Sequence, residues 1–218
     1  MRAANDVVRQ KRDEVGDAYD AQIERWLEVG LLENPGSITL LMLQADLFDI
    51  QRRYDDAAAI YHKLLDRDEL TGMRRAIVLN NVAYLVALAD PAADSNVDAL
   101  QLVNEAAKIL GPNSDILDTR AVVWISRGQF QRAIDDLELS VTDNPTASKY
   151  FHKAQAHLLA RQNREAVEAW EKAEELDLTR ESLNRLEHDK FDEMKAKIEQ
   201  IRGGGASVTQ TEPARRAG

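Results

Sequence analysis

Apolar and small residues recur along this chain in paired helical stripes. Ala45 and Ala57, Ala121 and Ala133, and Ala154 and Ala166 each stand twelve residues apart, and Ala83 and Ala99 stand sixteen apart. Around the first alanine of each pair, Leu41, Leu79, Leu117 and Tyr150 lie four residues before, and Phe48, Val86, Trp124 and His157 three after. Around the second, Tyr61, Val103, Leu137 and Trp170 lie four residues on, followed by Leu64, Ala106, Ser140 and Ala173. Spacing of this kind puts one apolar stripe on each of two helices. The alanines let the paired helices approach closely, and the larger side chains fill the space between successive pairs. The pattern predicts one helix-turn-helix written four times, an array of the solenoid kind.

The ends depart from the repeat. Residues 1–36 read as an N-terminal helix or half-repeat, with a break at Gly16–Asp17, Ile23, Leu27 and Gly30 at the spacing of a second helix, and a stop at Asn34–Pro35. The second unit carries Ala-Leu-Ala-Asp-Pro-Ala-Ala-Asp-Ser-Asn between its helices, where Pro91 predicts a loop. Over residues 181–202, Leu183, Leu186, Phe191, Met194 and Ile198 form one apolar stripe on a charged helix, which is what a terminal cap needs. Residues 203–218 lack periodicity and read as a disordered tail.

The register resembles the tetratricopeptide repeat. The fullest copy is Ser114–Pro145, in which Gly128 supplies the turn, Phe130 packs beneath it and Pro145 stops the second helix. Arg-Tyr-Asp-Asp-Ala-Ala-Ala-Ile-Tyr-His-Lys-Leu-Leu and Asn-Arg-Glu-Ala-Val-Glu-Ala-Trp-Glu-Lys-Ala are comparable stretches of the first and fourth units. The resemblance implies an all-α, right-handed α-solenoid of four hairpins over residues 37–180, at about 38–71, 76–113, 114–146 and 147–180, with an N-terminal extra helix and a C-terminal capping helix. The middle copies, Leu-Asn-Asn-Val-Ala-Tyr-Leu-Val-Ala and Asp-Ala-Leu-Gln-Leu-Val-Asn-Glu-Ala-Ala-Lys-Ile-Leu, are also similar to the C-terminal arrays of bacterial tetratricopeptide proteins associated with exosortase and PEP-CTERM export.

Composition narrows the function class. A formal net charge of -10 argues against nucleic acid or an anionic membrane as partner. The absence of cysteine removes disulfides, thiol nucleophiles and Cys-based metal sites. Neither a secretory apolar segment nor a membrane-spanning one is legible, so the default expectation is cytoplasmic. The glycine cluster at Gly203 follows a helix with no Lys-Ser or Lys-Thr after it, unlike a phosphate loop. His152 and His157 diverge around a helix and read, with His62 and His188, as surface or partly packed residues. Asp55–Asp56, Asp135–Asp136 and Glu174–Glu175 are adjacent on helices and read as solvated charges, not acid/base pairs. No catalytic, metal or cofactor site is assigned, and none is expected to be needed.

The resemblance implies a concave wall lined by the first helix of each hairpin. The partner-binding candidates there are Met42, Asp46, Asp49, Asn80, Asn81, Tyr84, Asp118, Val122, Phe151, His152 and Gln155. A clamp for a peptide's terminal carboxylates is not expected, because Met42, Asp46 and Thr119 stand where such members carry Lys, Asn and Arg. Amides and aromatics instead suit an extended protein segment of mixed polar and aromatic character, and the carboxylates favour a basic one. The expected function is a non-catalytic adaptor or scaffold. The alternatives are self-association through an N-terminal stripe of Ile23, Trp26, Leu27 and Leu31, and an accessory array of a larger protein or enzyme.

Overall fold

The computed structural model describes residues 17–51, 53–88 and 98–206, and the described residues are helical or in short connections. The helices are α1 (Asp17–Glu33), α2 (Ile38–Ile50), α3 (Tyr54–Leu65), α4 (Gly72–Leu88), α5 (Ala99–Leu110), α6 (Ser114–Ser126), α7 (Phe130–Asp143), α8 (Ala147–Leu159), α9 (Asn163–Glu175) and α10 (His188–Ala206). Helices α2–α3, α4–α5, α6–α7 and α8–α9 pack as hairpins, and each hairpin packs on the next, giving an all-α solenoid.

Capping explains where the hairpins begin. Ser37, Asn113 and Thr146 precede α2, α6 and α8, and each side chain accepts a backbone N–H from the first turn. These groups would otherwise lack an acceptor, so a short polar residue there sets the helix start. Helices α3, α7 and α9 follow tight turns after Arg53, Gln129 and Gln162 and have no side-chain cap.

The core runs along the array as a relay. The repeat alanines Ala45, Ala57, Ala83, Ala121, Ala133, Ala154 and Ala166 are all fully buried, so their helices meet at methyl distance. Tyr61, Leu64, Val78 and Val82 join the first hairpin to the second; Leu79, Val103, Ile116 and Val123 join the second to the third. Polar ties cross the same seams. Arg120 pairs with the largely buried Asp136 through two hydrogen bonds of 2.7 and 2.6 Å, so that carboxylate is not the solvated charge its sequence position implied. Lys149, only 2% exposed, sends its ammonium to Ser114 Oγ at 2.9 Å, the Asn144 carbonyl at 3.1 Å and Asp115 at 3.1 Å.

Several expectations are corrected. The second hairpin starts at Gly72, not 76, because the Gly-Met-Arg-Arg stretch forms the first turn of α4 and Arg75 pairs with Glu105 of α5. Trp124 is only half-buried, with the Arg132 guanidinium 4.9 Å from its ring centre, whereas Trp170 is a core residue. His157 is buried and bonds Gln162 at 2.6 Å, which lets a histidine stand in an apolar position. The cap is not one helix over 181–202: residues Arg180–Ser182 and Arg185–Glu187 form two 3-10 turns, and α10 begins at His188. Leu183, Phe191, Met194 and Ile198 bury against Phe151 and Trp170 as a cap should, but Leu186 is 43% exposed. Helix α10 continues to Ala206, so the tail begins later than Gly203. The loop around Pro91, residues 1–16 and residues 207–218 lie outside the described residues.

Candidate functional site

The segment with two 3-10 turns between α9 and α10 lies against the wall formed by the first helices of the hairpins, and its geometry follows from local chemistry. Asp177 takes a left-handed conformation (φ 61°) and ends α9. Thr179 and Ser182 then cap each other, the Thr179 hydroxyl accepting from the Ser182 N–H and the Ser182 hydroxyl accepting from the Thr179 N–H. Asn184 starts the second turn by accepting from Leu186 N–H. Short polar side chains that bond nearby backbone compete with a continuous helix, so the chain turns twice before α10.

Glu187, 3% exposed, ends this segment on the wall. Its carboxylate accepts from the Tyr84 hydroxyl of α4 at 2.6 Å and from His152 Nε2 of α8 at 2.8 Å. His152 Nδ1 in turn donates to Asp118 of α6 at 2.6 Å. Three hairpins therefore converge on one buried imidazole. Burial by itself pushes that imidazole towards neutrality, but Asp118 and Glu187 outweigh it and lift the group to about 10. His152 is thus an imidazolium whose two N–H groups are both engaged by carboxylates. With both ring nitrogens so engaged, the arrangement holds the Glu187 carboxylate in place.

A second cluster lies alongside. The Tyr61 hydroxyl donates to Asp46 at 2.8 Å and accepts from the Asn81 amide at 3.0 Å. Burial, with the Asp46 charge behind it, holds the Tyr61 hydroxyl well above its ordinary range. Burial likewise raises the Asp46 carboxyl, partly offset by the bond from Tyr61. Asn184 donates to Asp49 at 3.3 Å, and the Arg185 N–H donates to the Tyr54 hydroxyl at 2.9 Å. A cavity remains between wall and turn, lined among others by Asp46, Asp49, Asn81, Tyr84, Asp118 and His152.

Six of the eleven candidates thus meet at one cavity. The other five do not line it. Met42 and Phe151 belong to the core, Phe151 facing Trp170 and Phe191 at ring separations of 6.2 Å. Val122 and Asn80 are buried, and Asn80 Oδ1 has no hydrogen-bond partner among the described residues. Gln155 is half-buried. The helical offsets that placed these residues on the wall ignored how closely successive hairpins stack, and stacking takes that strip of the helix. Asp118 and His152, at 1% exposure each, are held by one another and by Glu187. The expectation of surface or partly packed histidines fails for His152, His157 and His188, all buried. Sequence reasoning missed Tyr61, Asn184 and Glu187 as lining residues. The run Thr-Arg-Glu-Ser-Leu-Asn, rich in capping residues, was the available signal for the turn.

No family model matches the chain, and no curated protein matches it. Among solved structures, it is similar to TTC0263, described as a thermophilic TPR protein in Thermus thermophilus, with a TM-score of 0.61 and 16% identity over 93% of this chain and 99% of that one. It is also similar to MamA, with a TM-score of 0.52 and 20% identity over 78% of this chain and 94% of that one. At these identities the likeness is one of fold. The chain has the tetratricopeptide-repeat fold.

Proposed function

We propose that this chain is a non-catalytic protein-interaction scaffold that holds a segment of a protein partner against its concave wall. The observation that carries the reading is that the wall already grips peptide: side chains from α2, α3, α4 and α8 engage Asn184, Arg185 and Glu187 through hydrogen bonds of 2.6 to 3.3 Å. Amides, phenols and an imidazolium on a concave face are the donors and acceptors that a turn or extended segment needs. Asp46 and Asp49 line the remaining cavity and favour a basic side chain of the partner there.

Affinity capture from the native cell with the intact chain, against a chain carrying Asp46→Asn and Asp49→Asn, tests this reading. Both substitutions keep shape and hydrogen-bonding capacity while removing charge. The expected result is a partner recovered by the first and depleted with the second; an identical set of proteins at equal yield would sink it.

Self-association is the second reading, favoured by the apolar side chains that α1 leaves in solvent. Trp26 is 63% exposed and Leu32 83%, while Leu27, grouped with Trp26 in the sequence reading, is 6% exposed and packed inward. A second copy of the chain covering this face would bury Trp26, so Trp26→Glu should lower the mass measured by light scattering if the reading is right.

A further inference from the structure

We infer that the Asn184–Glu187 turn is an internal ligand of the concave wall, and that a partner segment displaces it by presenting an amide followed three residues later by a carboxylate. This rests on the scaffold reading of the same wall and adds the chemistry of the segment it accepts.

Capping does not require this polarity. Shielding the last hairpin is achieved by Leu183, Phe191, Met194 and Ile198, all buried on Phe151 and Trp170. Asn184 and Glu187, at 4% and 3% exposure, face the first, second and fourth hairpins instead. Burying a carboxylate and an amide is less favourable than burying apolar groups of the same size, unless their partners are waiting for them. Here the partners belong to the wall. Tyr84 and His152 converge on one carboxylate, the His152 ring is oriented by Asp118, and Asp49 accepts the amide. Remove the turn and the wall retains a built receptor for that pair of groups.

The turn is also suited to release. It is a single three-residue 3-10 turn capped by Asn184, in a non-α-helical connection between α9 and α10, and the lined cavity lies beside it. Tethering gives the internal ligand an effective concentration of order millimolar, so a free segment of equal intrinsic affinity binds the intact chain only weakly. A partner wins by adding a contact the turn lacks, and Asp46 in the cavity offers such a contact to a basic residue.

The probe is a fluorescent peptide with this chain's own sequence from Leu178 to Lys190, titrated against the full chain and followed by anisotropy. A full chain carrying Asn184→Ala and Glu187→Gln should bind it at least about tenfold more tightly than the unaltered chain, because the competitor has been weakened. Adding Tyr84→Phe to that chain should lower the affinity again, and a peptide with Glu187→Gln should not bind. Equal binding by altered and unaltered chains, binding by neither, or undiminished binding of the Glu187→Gln peptide would overturn the inference.

Circular dichroism checks that the altered chain is folded. If it is not, the unaltered chain decides: excess peptide should accelerate hydrogen exchange at the Arg185 amide, and unchanged exchange at saturating peptide overturns the proposal. Because no cellular partner enters these measurements, their failure leaves the capture experiment standing, and failure of capture leaves them interpretable.

Discussion

Arg161 holds the backbone conformation in the fourth hairpin that Gly128 holds in the third. Their φ angles are 62° and 70°, and each follows the first helix of its hairpin at the same register. The left-handed region is open to glycine and unfavourable for a residue with a Cβ. Space around Gly128 is open, so a Cβ there would meet only backbone strain. The two turns should therefore respond oppositely to exchange. Arg161→Gly is expected to stabilise the chain by about 1 kcal/mol and Gly128→Ala to destabilise it by about the same amount. Urea denaturation of the two variants checks this, and shifts of the same sign would show that the turns are not equivalent.

Trp170 and Trp124, on the second and the first helix of their hairpins, occupy different environments. Trp170 is 2% exposed, lies 5.5 Å from the Phe191 ring and donates its indole N–H to Glu174 at 2.8 Å. Its truncation to alanine should cost about 3 to 5 kcal/mol. Trp124 is half-buried under Arg132, so Trp124→Ala should cost about 1 to 2 kcal/mol, mostly apolar contact and the cation–π contact. Equal losses for the two in thermal unfolding would argue that the arginine side chain closes over Trp124 fully.

The fold was legible because the repeat alanines carry a packing constraint that sequence expresses directly: a buried helix contact with no room for a larger residue. Ala45, Ala57, Ala121 and Ala133 are all at 0% exposure, as their register implied. The wall was legible only where a helix position had a single environment, as at Asp46, Asn81 and Tyr84. Met42 and Phe151, each three residues before its helix alanine, are taken into the core, because the way successive hairpins stack is not written in one repeat. The turn over Asn184–Glu187 was harder still. Its contacts to Tyr84 and Asp49 span more than a hundred residues, and no periodicity reports such a contact. Leu183, Phe191, Met194 and Ile198 read correctly as a cap stripe, and reading Leu186 with them hid the break in helix that the capping residues signalled.

Lys149 should bind the fourth hairpin to the third through its charge and not its stem alone. Its ammonium is enclosed by Ser114, Asn144 and Asp115, so Lys149→Met keeps most of the volume and removes those donors. A loss of about 1 to 3 kcal/mol is expected, the range for leaving buried hydrogen-bond acceptors without a partner. Hydrogen exchange should rise most in α8 and α9, beyond the weakened seam. Stability equal to that of the unaltered chain would mean that the methylene stem carries the contact.

The imidazolium at the centre of the wall makes a pH prediction with a definite sign. His152 has an ordinary value of 6.5 and is raised to about 10 in the folded chain, so folding favours its protonated form. Its contribution to stability is fully present below pH 6.5, declines as pH rises from there, and is lost as pH passes about 10. Other groups titrate over the same range, and the comparison that isolates His152 is with His152→Gln. That variant cannot titrate, and it leaves Asp118 and Glu187 facing each other with one neutral amide between them. At about pH 6 it should be less stable than the unaltered chain by about 3 to 5 kcal/mol, the usual loss when a buried charge loses its partner. By about pH 9 the difference should have narrowed, because the unaltered chain has lost linkage stability that the variant never had. Denaturant midpoints for both chains across that interval supply the measurement. A stability difference that stayed constant with pH would mean that folding does not change the proton affinity of His152, a difference that widened would mean that it is neutral in the folded chain, and with either the charged bridge between Asp118 and Glu187 would have to be abandoned.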